Sequence, residues 1–417
     1  MSLEELPNEI LFRIFSFLDA DFIVVVLSKV SATFEAILND HTFWRNKLFQ
    51  KWPKTYPVVP VDDSFDWKRA CFDREEHYKV WTSHEEDVKM IHLDSPHVGL
   101  VNVLQLLNNG SLCASGSRDR DIKVWNIEAG RDGNVLGPKE RLVHTIADAH
   151  GGWVWCMCSH KDTLYSGGWD SAVKAWDLNR GLAQTDSFKW VFSKTNMHAQ
   201  SKGVSSEQHL TGECIKWVSL IVRVKTAALC LGNIEKVVCV GTYGGFLYYR
   251  DTREPSENVK RVLATKSSII CMAMDEETLI AGCEGGSLAV LDLRTWKTRE
   301  TFSRLDGYPS AISYHTRQLW VGTRNGSVYV MDATGDRLTS VQNFSLANPG
   351  SIVSGVHHSL GSIVVSILES PMYILEPTLD AQVISRGPAK ENVDRFQVHG
   401  TTLVTARQSS ITVWNPQ

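Results

Sequence analysis

Tryptophan, arginine, histidine and cysteine are the side chains of this sequence with most chemistry in reserve, and their placement points to binding rather than bond-making. Arg118, Arg324 and Arg407 can each grip a phosphate with two hydrogen bonds at once. Trp155, Trp169 and Tyr243 belong to the residue types that anchor protein interfaces. Nothing has the spacing of a catalytic device: there is no Gly-rich phosphate loop, no metal-ligand cluster and no paired nucleophile and base. Neither a cofactor nor a metal is therefore expected. The fourteen histidines are scattered, and His357-His358 lies in a strand pattern that suits a structural role. Most of the nine cysteines occupy apolar strand positions, and Cys156-Met157-Cys158 is spaced wrongly for a zinc or redox pair. Reduced core thiols, in the cytosol or nucleus, are the expectation.

Composition bounds the rest. A chain of 417 residues exceeds one ordinary core, so two domains are the natural expectation. With 43% hydrophobic and 22% charged residues it is globular, and a net charge of −4 calls for neither nucleic acid nor an anionic membrane. The start, Met1-Ser-Leu-Glu-Glu, is acidic where a secretory signal is basic. The apolar run Phe22 to Leu27 is far short of a membrane span.

The elements that must hold the arginines and aromatics are strands. Residues 150–178 read as three short strands joined by tight turns: Val154, Cys156 and Cys158 alternate in the first, Leu164 to Ser166 form the second and Val173 to Asp177 the third. His150, Ser166, Asp170 and Trp176 stand where the WD repeat has its polar residues, and the stretch ends in Trp176-Asp177; it resembles one blade of a β-propeller. The resemblance implies that Asp170 bonds His150, and that His150 bonds Ser166 and Trp176. Second and third strands recur seven times, anchored at Gly116, Gly167, Gly241, Gly282, Gly322, Ser366 and Ala406, mostly at the ~40–45-residue period of a blade. The first copy has Ser115, Asp119 and Trp125 in register, with His97 out of register. Copies three to six lack the Trp, carrying Arg250, Leu291, Met331 and Leu375, and are expected to hold their turns by packing.

The last copy ends at Trp414 with no fourth strand of its own. Val88 to Leu93 can supply one and close a seven-bladed ring, which removes a sheet edge. The step from Gly167 to Gly241 is too long, leaving an insertion at about 179–225. Two strands compete there for the outer edge of blade two, Phe188–Phe192 and Ile215–Val222. The first would put the polar stretch 193–212 on the face usually used for binding, the second on the opposite face.

Residues 1–48 are helical and of a different kind. Ile10, Ile14 and Phe17 recur at helical spacing, as do Leu11, Phe15 and Leu18 one step round, an apolar surface broader than one small core needs. Leu6-Pro7, Ile10-Leu11, Ile14-Phe15, Leu18, Leu27, Phe34, Leu38 and Trp44 resemble an F-box. Residues 49–86 follow as a connector, broken by Pro53, Pro57 and Pro60 and helical again from Phe65, read as a rigid spacer. Residues 87–417 are the propeller.

The whole chain thus resembles an F-box/WD-repeat protein: a small all-α module followed by an all-β propeller. The resemblance implies a non-catalytic substrate receptor of a Skp1–cullin–F-box ubiquitin ligase. Leu6, Pro7, Ile10, Leu11, Ile14, Phe15, Leu18, Leu27 and Trp44 would bind Skp1, which bridges to the cullin–RING subunits. Arg118, Trp155, Trp169, Tyr243, Arg324 and Arg407, with Arg395 on a strand approaching the same mouth, would bind the target protein. Whether that recognition needs a phosphate stays open, since Glu284 opposes the arginines. The rival reading is a scaffold that assembles partners without ubiquitin transfer.

Overall fold

The computed structural model describes residues 3–60, 65–82, 88–93, 97–128, 137, 140–178, 219–254, 258–346, 350–387 and 392–416. Seven four-stranded antiparallel sheets form a propeller, the first six running outward in chain order from the central channel. Blade one, for example, is Val101–Leu107, Leu112–Ser117, Ile122–Asn126 and Leu142–Ile146. Blade seven borrows its outer strand, as the missing fourth strand demanded. Val88–His92 pairs antiparallel with Ser410–Pro416, setting Met90 opposite Trp414 and Ile91 opposite Val413. The ring is thereby closed across its two ends, and the third strand of blade seven is not left with an open edge.

Each propeller face has its own set of turns. Turns between second and third strands lie on one face, the mouth face; the hairpins between first and second strands lie on the opposite, hairpin face. The outer strand of blade two is Ser219–Arg223, paired with Ala172–Ala175, so the second of the two competing segments supplies it. The connection therefore leaves at Leu178 and returns at Ser219, both at the hairpin face. Residues 179–218, Phe188–Phe192 among them, lie outside the described residues.

Neighbouring blades are locked by small residues meeting sulfur. Cys156, Cys230 and Cys271 take equivalent places on the inner strands of blades two, three and four. Each thiol donates to a carbonyl of the next blade, Ala228, Ile269 and Pro309, at 3.6 Å. Gly167, Gly241 and Gly282 face them from the second strands, where a Cβ would approach the sulfur to 2.4–2.8 Å. Burial pushes these thiols far up from their ordinary pKa, so they remain protonated and unreactive.

The N-terminal module comprises α1 (Asn8–Ser16), α2 (Ala20–Val25), α3 (Ala32–Leu38) and α4 (His41–Lys51), followed by α5 (Trp67–Thr82). Ser31 Oγ accepts the Phe34 N–H at 3.2 Å and Asp40 the Thr42 N–H at 2.8 Å, which starts α3 and α4. The run Phe22-Ile-Val-Val-Val has strand propensity but no sheet edge to join, and it forms α2 and a following single turn. α4 runs on past residue 48 to Lys51.

The module is anchored to the propeller's hairpin face. Its core of Leu11, Phe15, Phe34, Phe43 and Trp44 is continuous with Tyr56, Phe65 and Trp67 of the connector and with Leu360 in the hairpin turn of blade six. Tyr56 Oη donates to the Leu360 carbonyl at 2.7 Å, and Gln318 Nε2 donates to that of Val58 at 2.9 Å. Buried Arg74 pairs with Glu376 at 3.2 Å, and His77 Nδ1 lies 2.8 Å from Ser362 Oγ. Glu75 ties α5 to the module: it accepts the Ala20 N–H at 2.6 Å and pairs with buried Lys47 at 2.8 Å. These contacts make the connector a fixed joint.

Candidate protein-binding surfaces

In blade two the His150 ring bridges Asp170, 3.0 Å from Nδ1, and Ser166 Oγ, 2.7 Å from Nε2; Trp176 Nε1 donates to the same hydroxyl at 2.9 Å. Burial pulls the Asp170 carboxyl up, but hydrogen bonds from His150 and from the Gly151 and Ala172 N–H groups outweigh it and hold the pKa at about 2. Blade one has the same chain. His97 Nδ1 lies 2.9 Å from Asp119 and Nε2 2.8 Å from Ser115 Oγ, which also accepts from Trp125 Nε1 at 3.0 Å. His97 falls out of register in the sequence because the blade-one hairpin closes with residues 108–111, where blade two needs only 161–162. Blade seven keeps a remnant, Trp414 Nε1 to Thr405 Oγ1 at 3.1 Å.

These chains set the mouth-face turns that carry the candidate residues. Replacing Asp170 by alanine should strip a buried network of its acceptor and cost about 2 kcal/mol. The Asp251→Ala exchange removes an exposed pair with Arg253 and should cost almost nothing. Urea unfolding monitored by fluorescence separates the two; equal midpoints would refute a stabilising polar chain.

The structure gathers Arg118, Trp155 and Trp169 and adds two residues that sequence reasoning missed, Trp153 and Asn102. The Arg118 guanidinium lies 4.7 Å over the Trp153 ring. Trp169 packs edge-on against Trp153 at 5.8 Å and Trp155 at 5.7 Å. Trp153 is 41% and Trp169 44% exposed, an aromatic wall open to a partner. Trp153 could have been found from Trp155, since residues two apart near a strand share a face. Arg395 joins from blade seven, its Nε donating to the Asn102 carbonyl at 2.9 Å. Trp155, Asn102 and Arg395 line a central channel of about 340 Å³. The other candidates stand apart from this cluster. Exposed Arg324 stacks on Tyr308 and donates to its hydroxyl, and Glu284 accepts from Ser268 at 2.6 Å. Tyr243 and Arg407 are exposed on the turns of blades three and seven.

On the helical module the nine sequence candidates divide. Leu11, Phe15, Leu27 and Trp44 are buried and build the module itself, Trp44 Nε1 donating to the Leu38 carbonyl at 2.7 Å. They shape the surface without contributing to it. Leu6 and Leu18 are half-buried and Pro7 is exposed. The open apolar face is Ile10, Ile14 and Phe17 on and just beyond α1, joined by Phe22, Val25, Val26 and Val30. Phe17 is the most exposed of the α1 stripe at 75%. It could have been found, since it continues the Ile10–Ile14 spacing.

Comparison with known proteins agrees with this geometry. The F-box-like family model matches residues 3–50, and the WD domain, G-beta repeat model matches residues 79–126 and 140–177. F-box/WD repeat-containing protein 9 of Homo sapiens is 27% identical over 99% of this chain and 82% of its own length, and that of Bos taurus is 27% identical with the same coverage. F-box/WD repeat-containing protein mec-15 of Caenorhabditis elegans is 25% identical over 82% of this chain and 77% of its own. Among solved structures, the computationally designed Ika8 protein superposes with a TM-score of 0.53 at 15% identity, covering 78% of this chain and 98% of that one; this likeness concerns the fold alone. The chain thus joins an F-box-like module to a seven-bladed propeller with WD repeats, and it is similar along nearly its whole length to proteins named for the same pairing.

Proposed function

We propose that the chain is the substrate receptor of a Skp1–cullin–F-box ubiquitin ligase, a non-catalytic subunit working in the cytoplasm or nucleus. The helical module binds Skp1 and the mouth face binds the protein to be ubiquitinated. The apolar face of Ile10, Ile14, Phe17, Phe22, Val25, Val26 and Val30 carries this reading. It is too large a hydrophobic exposure for so small a module to leave uncovered. The fixed joint through α5 supports the same function. A receptor works by proximity, and a rigid arm keeps the captured target at a set distance from the ubiquitin-charged enzyme.

The test is co-purification with Skp1, cullin and RING subunits, comparing wild type with an Ile10→Ser/Phe17→Ser variant. Both side chains are exposed, so the module should keep its fold. Wild type should capture the ligase and the variant about tenfold less. Failure of wild type to capture Skp1 would end this reading. Capture without ubiquitin transfer to any mouth-bound protein would favour a scaffold instead.

A further inference from the structure

We infer that the junction of blades seven, one and two on the mouth face is a binding site for a peptide segment in which a carboxylate side chain stands beside a large apolar one. This rests on the mouth face being the substrate-binding face and names the chemistry it selects.

One residue orients two guanidiniums. The Asn102 side-chain oxygen accepts from Arg118 Nε at 3.3 Å and its main-chain carbonyl from Arg395 Nε at 2.9 Å, while its amide nitrogen is spent on the Val154 carbonyl at 2.9 Å. Arg395 also donates to the Asp394 carbonyl at 2.7 Å. Among the described residues neither Arg118 nor Arg395 forms an ion pair, although Arg120, Arg299 and Arg317 elsewhere on the propeller do. The acids nearest in sequence are occupied: Asp394 accepts the Gln408 N–H at 2.7 Å and Asp119 holds His97. Two like charges in a partly desolvated place, with Asp394 near Arg395 but no ion pair to either guanidinium among the described residues, are held at a cost that an arriving anion recovers. Burial pulls the Arg395 pKa down; Asp394 opposes that shift, and Arg118 close by adds to it.

The neighbouring wall sets what accompanies the anion. Because Arg118 lies over the Trp153 ring, a carboxylate meeting its outer edge is carried on a backbone passing Trp153 and Trp169. Their exposed faces suit an aromatic or long aliphatic side chain one or two positions away. A single carboxylate also matches the supply of donors better than a phosphate, since part of each guanidinium is committed to Asn102 or to main-chain carbonyls.

The test is selection of a random dodecapeptide display library on the full chain. Selected sequences are then made as dye-labelled peptides and titrated by fluorescence anisotropy. Asp or Glu beside Phe, Trp or Leu should be enriched. Exchanging that acid for Gln should weaken binding about tenfold, as should Arg118→Gln or Trp169→Ala in the protein, while Arg294→Gln, in an exposed pair with Glu277 away from the mouth, leaves it unchanged. Trp169→Phe should restore most of the affinity, and thermal midpoints should confirm that each variant is folded. The inference is overturned by no enrichment, by enrichment of a different motif, by binding indifferent to Arg118→Gln, or by binding that appears only when phosphoserine replaces the acid. Skp1 capture, read in parallel, keeps the questions separate: selected peptides without Skp1 capture would remove the ligase reading and leave this site standing.

Discussion

Replacing Gly361 by alanine should loosen the helical module from the propeller and cost about 3 kcal/mol. Gly361 sits in the hairpin turn of blade six, directly under α5. A Cβ there would lie 2.4 Å from the Asp73 carbonyl oxygen and 2.6 Å from the His77 ring. The first of these is helix backbone, which cannot swing aside as a flexible side chain would. α5 would have to lift, stretching the Arg74–Glu376 pair and the Tyr56–Leu360 hydrogen bond that hold the joint. Gly335→Ala is the matched control, since its Cβ would meet nothing closer than 4.0 Å. Limited proteolysis of the connector and two-step thermal unfolding should report the loosening in Gly361→Ala alone. Unchanged unfolding in that variant would show that the joint is not rigid. For the proposed receptor the consequence is specific: Skp1 capture and target binding survive separately, while ubiquitin transfer between them falls.

The same joint should fail in mild acid. His77, His315, His357 and His358 lie between α5 and blades five and six, and His358 stacks on Trp320 with a 5.7 Å centroid separation. Burial, reinforced by the neighbouring histidines, depresses His77 and His357 to about 4 and His358 further. His315 is lowered by burial and by Arg69. The surroundings make no correction. Arg69 adds positive charge near His315 and is itself paired with Asp73, Glu376 is taken by Arg74 and Lys54, and among the described residues no carboxylate pairs with these four rings. A histidine whose folded pKa lies below its unfolded value binds more protons once unfolded. Its neutral form is therefore stabilising above about pH 6.5, and that contribution drains away as the pH falls toward 4. For His77 alone the loss is on the order of 3 kcal/mol across that window. Thermal unfolding from pH 7.5 to 4.5 should show the module releasing first, and His77→Gln with His358→Phe should flatten the profile. A midpoint independent of pH over this range would contradict buried neutral histidines.

Much of the architecture is written in local spacing. Alternation within Val154–Cys158, the turn residues after Ser166 and the recurrence of that pattern set the blades, because strand faces and tight turns depend on near neighbours. Closure by Val88–His92 followed from counting strands, since a ring with one strand missing must borrow it. The residue types at the mouth, arginines and tryptophans on turns, could be read along the chain. Where a local rule was bent, the reading was bent with it, as when a longer hairpin moved His97 out of register.

Tertiary structure decided which of those residues act together. Helical spacing marked two adjoining apolar stripes on α1. Only packing against α2–α4 and the connector sent Leu11 and Phe15 inward and left Ile10, Ile14 and Phe17 outside. Closing the ring brought Arg395 of blade seven beside Asn102, 293 residues earlier, and so made a two-arginine site out of one expected arginine and one peripheral one. The seat of the module, where Tyr56 meets Leu360 across 304 residues, leaves no local trace because Gly361 and Leu360 look like any hairpin turn. Spacing along the chain dictates which face a side chain takes. What that face meets depends on contacts between segments hundreds of residues apart, and only the closed ring with its docked helix brings them into being.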